Sequence, residues 1–182
     1  MKNDLQNSYK KKLHQITTFI FDIDGVLTDG KVYILDNGNL MRSMHTRDGF
    51  AIKTAIKKGF RVAIISGVQE ENVLRRLEYL NIEDVYIKIQ DKLAVYKQFI
   101  KKYNLDSSEI LYMGDDIPDL PLLKEVGLSA APRDAIQEVL NVVDYISFKN
   151  GGNTCVRDVI EQVLRVQGKW TFSFSENETA SN

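Results

Sequence analysis

The sequence predicts a doubly wound, Rossmann-like parallel α/β sheet, and three observations carry that expectation. Short apolar, β-branched runs recur at about 16–22, 61–65, 85–87, 110–113, 128–130 and 144–146. Segments of helical length and helical apolar spacing separate them, as in strand–helix–strand units whose sheet is covered on both faces. Polar residues gather just beyond the C-terminal ends of the runs, where an open α/β sheet binds its ligands.

The 182 residues suit a single domain over 1–182 with a sizeable core. A hydrophobic content of 43% and a charged content of 27% are those of an ordinary globular chain. The formal net charge of −1 offers no general attraction to nucleic acid or to an anionic membrane, so neither is an expected partner. A single cysteine, Cys155, excludes an internal disulfide. The first residues, MKNDLQNSYKKKLHQ, lack the apolar centre of a signal peptide, and no apolar run approaches the roughly 20 residues that span a bilayer. A cytoplasmic location is expected.

In chain order, Leu5, Tyr9 and Leu13 suggest a short amphipathic helix over 4–14. The first strand follows and ends near Asp22. The runs 31–35 and 40–45 flank Asn37-Gly38 and read as a β-hairpin, an insertion over about 31–45. From Asp48 the pattern is helical, with Phe50, Ile52, Ala55 and Ile56 as its apolar face and Gly59 as its stop. Strand 61–65 runs into Ser66-Gly67, and a helix is expected from Gln69 to Leu80. After a strand at 85–87, Asp91 opens a helix whose Leu93, Tyr96, Phe99 and Ile100 face inward. Strand 110–113 ends in Gly114-Asp115-Asp116, and a helix extends to Glu125. A strand at 128–130, a helix from Asp134, a strand at 144–146 and a last helix over 154–166 complete the pattern. Residues 171–182 read as a mobile tail.

The chain is organised around TTFIFDIDGVLTD at 17–29. Ile20 and Phe21 suit a buried strand, but Asp22 and Asp24 cannot lie bare in a core, so the strand ends near Asp22. Two close carboxylates repel and call for a cation between them, a metal ion or a lysine. Downstream strand ends add Ser66, Lys92 and the group Asp115, Asp116 and Asp119. A carboxylate nucleophile, a second carboxylate, a hydroxyl, a lysine and further acids suit phosphoryl transfer, in which catalysis is largely positioning and charge neutralisation.

Each residue also has a structural reading. Ser66 could cap the helix after it. Asp116 and Asp119 match a capping pair, with Pro118 in the first turn. Asp115 is not needed for that cap, which favours a metal-ligand role. Lys92 stands in a first helical turn, where the macrodipole disfavours a cation by about 0.3–1 kcal/mol, and that points to function. His14 and His45 are isolated, Cys155 reads as structural, and Lys10–Lys12 as a solvated face.

Asp22-Ile-Asp24-Gly-Val, Ser66-Gly67, Lys92 and Gly114-Asp115-Asp116-x-x-Asp119 resemble the four motifs of the haloacid dehalogenase superfamily, in order and in placement. Over residues 16–168 the chain further resembles the 3-deoxy-D-manno-octulosonate 8-phosphate phosphatases. That likeness rests on AspGlyValLeuThrAspGly (24–30), the hairpin, Arg47-Asp48-Gly49, Asp91-Lys92-Leu93, GlyAspAspIleProAspLeu (114–120) and Gly151-Gly152 with Arg157. The resemblance implies a haloacid dehalogenase-like fold with no large cap domain, and a phosphatase of lipopolysaccharide precursor synthesis. It implies that Asp22 attacks phosphorus and that Asp24 protonates the leaving sugar oxygen and then activates water. Mg²⁺ would be held by Asp22, the main-chain carbonyl of Asp24 and Asp115. Ser66 and Lys92 would bind phosphate oxygens, with Asp119 and Asp116 in support and Thr28, Arg47 and Arg76 as candidate substrate contacts. It also implies a homotetramer with the hairpins packed centrally.

Two departures bear on the sugar. Relatives usually carry an arginine after the Ser/Thr-Gly motif, where this chain has Val68, and a Gln-Gly pair before the motif lysine, where it reads IleLysIleGlnAspLys (87–92). Enzymes that the chain also resembles act on nine-carbon keto acids, so 2-keto-3-deoxynononate 9-phosphate or N-acylneuraminate 9-phosphate is the nearest alternative substrate. A phospho-accepting receiver domain shares an Asp, a Ser/Thr and a Lys at strand ends, but there the phosphorylated Asp comes later and Asp24 would be superfluous. A non-catalytic scaffold is disfavoured because every motif position is filled.

Overall fold

A computed structural model describes residues 9–70 and 72–172. The helix expected over 4–14 falls partly outside these residues, and within them 9–12 are helical; the tail expected over 171–182 lies outside apart from 171 and 172. Strands β1 (Thr18–Phe21), β4 (Arg61–Ile65), β5 (Asp84–Tyr86), β6 (Ile110–Met113), β7 (Leu128–Ala131) and β8 (Tyr145–Ile146) form a six-stranded sheet of order β5-β4-β1-β6-β7-β8. Every pairing in it is parallel. Strands β2 (Tyr33–Ile34) and β3 (Leu40–Met41) pair antiparallel as the hairpin.

Alternation along the strands divides the core between two faces. Phe19, Phe21, Val62, Ile64, Leu111 and Met113 pack on one face with helices α1 (Thr46–Lys57), α2 (Asn72–Tyr79) and α6 (Cys155–Val166). Ile20, Ala63, Ile65, Ile110 and Tyr112 pack on the other, under α3 (Lys92–Tyr103), α4 (Leu120–Leu123) and α5 (Gln137–Leu140). Each fully buried Phe, Ile or Leu contributes about 1.5–3 kcal/mol relative to exposure, so the doubly covered sheet carries the fold.

Register decides where the chemistry lies. Phe21 pairs with Ile64 on one side and Met113 on the other. The three central strands therefore end in line, with Asp22, Ser66 and Gly114-Asp115 just past their tips. The strand order reverses direction at β1, between β4 and β6, and a doubly wound sheet opens its crevice at such a point.

Several expected details differ. The hairpin strands are two residues each, because the chain after Met41 leaves the pairing and sends Arg42 into the sheet edge. Phe50 is 49% exposed on α1 and packs against Trp170 and Phe172; Ala51, Ile52 and Ala55 carry the buried face. Asp134 starts no helix: its carboxylate accepts the N–H of Gly151 at 2.8 Å, and α5 begins at Gln137. Lys12 is not wholly solvated, since its Nζ lies 2.8 Å from Asp144 Oδ1. Asp91 caps α3 as expected, its side chain accepting from the N–H of Ala94 at 2.9 Å.

Candidate active site

The loop after β1 makes the site. Asp22 ends the strand, its N–H held by the Met113 carbonyl at 3.1 Å and its Oδ1 accepting the N–H of Ile23 at 2.7 Å. The chain then closes a single wide turn over Ile23–Leu27 with Gly25 at φ +77°, a conformation that disfavours a side chain. Space adds a second requirement, because a Cβ on Gly25 would lie 2.0 Å from Asp115 Oδ2. Two strand-end loops thus touch through a glycine, and the touching atoms are carboxylate oxygens.

Lys92 joins them from a third element. Its Nζ lies 2.7 Å from Asp22 Oδ2 and donates to Asp119 Oδ1 at 2.6 Å. Side-chain exposure is 5% for Lys92 and 1% for Asp119, so the triad is almost out of water. These two contacts offset the unfavourable position of Lys92 at the start of α3. Removing one partner of such a buried pair generally costs about 3–5 kcal/mol, because the other charge is left uncompensated.

Asp119 has every oxygen in use. Oδ1 also accepts from the Tyr112 hydroxyl, and Oδ2 accepts the N–H groups of Asp115 at 2.8 Å and Asp116 at 3.2 Å. The expected capping box is present, with Asp116 Oδ1 accepting the N–H of Ile117 at 2.8 Å. Asp119 therefore serves both purposes, closing the cap and aiming Lys92. Asp116 is exposed, and its charge also acts on the neighbouring Asp115 carboxyl. Ser66 is buried and its Oγ accepts the N–H of Val68 at 3.4 Å, so it braces its own loop and does not cap α2. Val68 is itself buried.

Electrostatics show what the cluster lacks. Oxygens of Asp22, Asp115 and Asp119 lie within 4.8 Å of one another, and Lys92 is the cation set among them. Burial, followed by the charges of Asp22 and Asp119, pushes the Asp115 carboxyl up to about 8. Burial also raises Asp22, although Lys92 pulls it the other way. For Lys92 burial works against the charge, but Asp22 and Asp119 together outweigh it and keep the ammonium protonated. Burial and the neighbouring Asp119 charge keep the Tyr112 hydroxyl neutral, as its donor role requires. Even with the Asp115 carboxyl protonated, two carboxylates face one ammonium and leave an excess of negative charge, and hard oxygen donors at this spacing suit a divalent cation such as Mg²⁺.

The carboxylate of Asp24 faces elsewhere. Its Oδ1 accepts from Arg42 Nε at 2.7 Å and Thr28 Oγ1 at 3.2 Å, and its Oδ2 from Arg42 Nη2 at 3.1 Å. A metal contact from Asp24 would come from its main-chain carbonyl, the atom that the family resemblance implies. Thr28 is buried in this network. Arg76 lines a cavity with Arg42, whereas exposed Arg47 lines a different one with Lys149, Thr154 and Arg157. Arg42, Glu70 and Tyr112 are site residues that sequence reasoning missed. The one signal available for Arg42 was a lone cation directly after the apolar pair of β3.

Known proteins decide the family. A curated 3-deoxy-D-manno-octulosonate 8-phosphate phosphatase from Salmonella typhi is 35% identical over 158 residues, covering 87% of this chain and 84% of its own. The family model described as haloacid dehalogenase-like hydrolase matches residues 81–160. The chain belongs to the haloacid dehalogenase-like hydrolases. This haloacid dehalogenase-like hydrolase acts as a phosphoric monoester hydrolase, the class that its motifs imply. Its fold is shared by a solved putative haloacid dehalogenase superfamily (subfamily III A) hydrolase from Legionella pneumophila, with a TM-score of 0.89 and 36% identity over 92% of both chains. It is also similar to the 3-deoxy-D-manno-octulosonate 8-phosphate phosphatase of Moraxella catarrhalis, solved in complex with magnesium ion, phosphate ion and the KDO molecule. There the TM-score is 0.87 at 32% identity, over 90% of this chain and 94% of that one. Among the described residues no helix is long and apolar enough to cross a membrane.

Proposed function

We propose that this hydrolase removes phosphate from 3-deoxy-D-manno-octulosonate 8-phosphate in an Mg²⁺-dependent reaction. The observation that carries the reading is the Asp22–Lys92–Asp119 triad at the tip of the central strand, with the Asp115 carboxyl beside it. Relatives that cover most of the chain and are named for this activity support the choice of substrate.

Asp22 is the nucleophile. One carboxylate oxygen attacks phosphorus, the ester oxygen leaves, and an aspartyl-phosphate forms on Asp22. Lys92 and the Ser66 hydroxyl bind phosphoryl oxygens, and Asp119 keeps Lys92 aimed. Asp24 gives a proton to the departing sugar oxygen and then takes one from the water that cleaves the aspartyl-phosphate, so acid and base alternate on one carboxyl. Asp22, the Asp24 carbonyl and Asp115 would hold Mg²⁺, which would supply positive charge against the phosphoryl oxygens.

The apolar hairpin supports a homotetramer. Tyr33 is 52% and Ile34 80% exposed, with Val32, Leu35 and Met41 exposed beside them. A contiguous patch of this kind on a two-stranded excursion calls for a partner surface, here the same hairpin of other subunits.

Phosphate release should be followed across eight- and nine-carbon keto-acid phosphates and p-nitrophenyl phosphate, with Mg²⁺ and with EDTA. The octulosonate ester should be turned over best, and only with the metal. A higher kcat/KM on a nine-carbon ester would reassign the sugar. Stable phosphorylation without turnover would point instead to a receiver-type module.

A further inference from the structure

Arg42 makes contacts that the catalytic roles above leave unused. Its Nε and Nη2 hold both oxygens of Asp24, at 2.7 and 3.1 Å, and its Nη1 donates to Glu70 Oε2 at 2.9 Å. The arginine side chain is only 8% exposed, so little water competes for these bonds. A planar guanidinium matched to a carboxylate in this bidentate way is among the strongest side-chain hydrogen-bond arrangements. While this pairing stands both Asp24 oxygens are fixed on the arginine, and its release leaves them free to turn toward a departing sugar oxygen.

Arg42 is also among the residues that line a cavity of about 290 Å³ between the hairpin and α2, together with Met41, Met44, Asn72, Val73 and Arg76. Asn72 ties the two walls, its side-chain N–H donating to the Leu40 carbonyl at 3.1 Å. Two arginines are therefore among the residues around a space whose other lining residues are largely apolar. That lining suits a carboxylate carried on a carbon skeleton.

We propose that a carboxylate on the sugar takes the Arg42 fork in this cavity and thereby releases Asp24 for proton transfer. The exchange puts one carboxylate in place of another, so the charge and hydrogen bonding of Arg42 are conserved while Asp24 is freed. Glu70 keeps its own nitrogen of Arg42 throughout and holds the guanidinium in place. A phosphate ester without a carboxylate leaves the latch closed, so discrimination enters kcat as well as KM. Arg42 is thus a specificity-determining residue. The inference rests on the reading of Asp24 as the acid and base of a sugar-acid phosphatase.

Steady-state kinetics at saturating Mg²⁺ test it, on 3-deoxy-D-manno-octulosonate 8-phosphate and on carboxylate-free D-arabinose 5-phosphate. The wild type should favour the acid. In Arg42→Gln, kcat/KM for the acid ester should fall about 100-fold, whereas kcat on arabinose 5-phosphate should rise, because Asp24 is no longer held. Arg42→Lys keeps a charge without the fork and should fall between the two; it carries the test alone if the glutamine variant does not fold. An equal loss on both esters, or an undiminished preference for the acid, overturns the role of Arg42 and leaves the phosphatase reading standing. A wild type that does not distinguish the two esters overturns the sugar-acid reading together with the latch.

Discussion

At the scale of single residues, the site is governed by an imbalance of charge. Asp115 sits at about 8, far above its ordinary 3.8, chiefly because it is buried and then because Asp22 and Asp119 are beside it. A carboxyl whose folded pKa is raised favours its protonated form in the fold. Metal-free stability should therefore fall as pH climbs from 3.8 to about 8. Asp115→Asn removes that penalty. In EDTA its Tm should exceed the wild-type value most at pH 8, with the advantage disappearing near pH 4, while calorimetry should show weakened Mg²⁺ binding at pH 8. A pH-independent Tm difference would contradict the assigned cause. Asp24 offers a separate test through the leaving group. Asp24→Asn should lose far more kcat on the sugar ester than on p-nitrophenyl phosphate, whose phenolate departs without much protonation. Equal losses would remove Asp24 from the acid role.

At the scale of elements, the site depends on loops held together by buried polar contacts. Asp48, on the first turn of α1, is 1% exposed and accepts the N–H groups of Arg157 at 2.7 Å and Thr154 at 3.3 Å. It thus caps α6 from a neighbouring helix, which explains an acid amid core residues without giving it any part in the chemistry. Burial raises its pKa, and the two N–H bonds pull against that. Asp48→Ala should leave those N–H groups unpaired and cost about 1–3 kcal/mol. Denaturant melts should show that loss, with kcat on the remaining folded enzyme changed less than twofold. The sheet tips, the capping box at Asp116 and the Asp91 cap of α3 were all legible beforehand, because strand ends and caps have short-range signatures. The latch of Arg42 on Asp24 was not legible, since 18 residues and a hairpin turn separate the partners. Nor was the position of Phe50, which helical spacing assigns to the core but Trp170 and Phe172 draw to the outside.

For the whole molecule, the proposed tetramer built on the exposed hairpin would link assembly to catalysis. Tyr33, Ile34 and Leu35 lie a few residues from Arg42 on the same excursion. A partner packed on them would fix the hairpin over Asp24. Replacing Tyr33 and Leu35 by lysine should lower the solution mass in light scattering and raise KM for the sugar phosphate, with kcat on p-nitrophenyl phosphate less affected. A wild-type protein that is monomeric at micromolar concentration would rule out the tetramer.

The sheet, the order of its polar strand ends and the residue types that meet there can all be read from the amino-acid order. Alternating apolar runs and glycine-linked acids report on neighbours a few positions away, and a parallel sheet carries all such ends to one edge. Tertiary structure alone decided how the charges pair. It gave Lys92 to both Asp22 and Asp119, left Asp115 among like charges, and turned Asp24 toward Arg42. Pairing depends on distances of a few ångströms between segments far apart in the chain, and electrostatic energy in a water-poor crevice changes steeply over such distances.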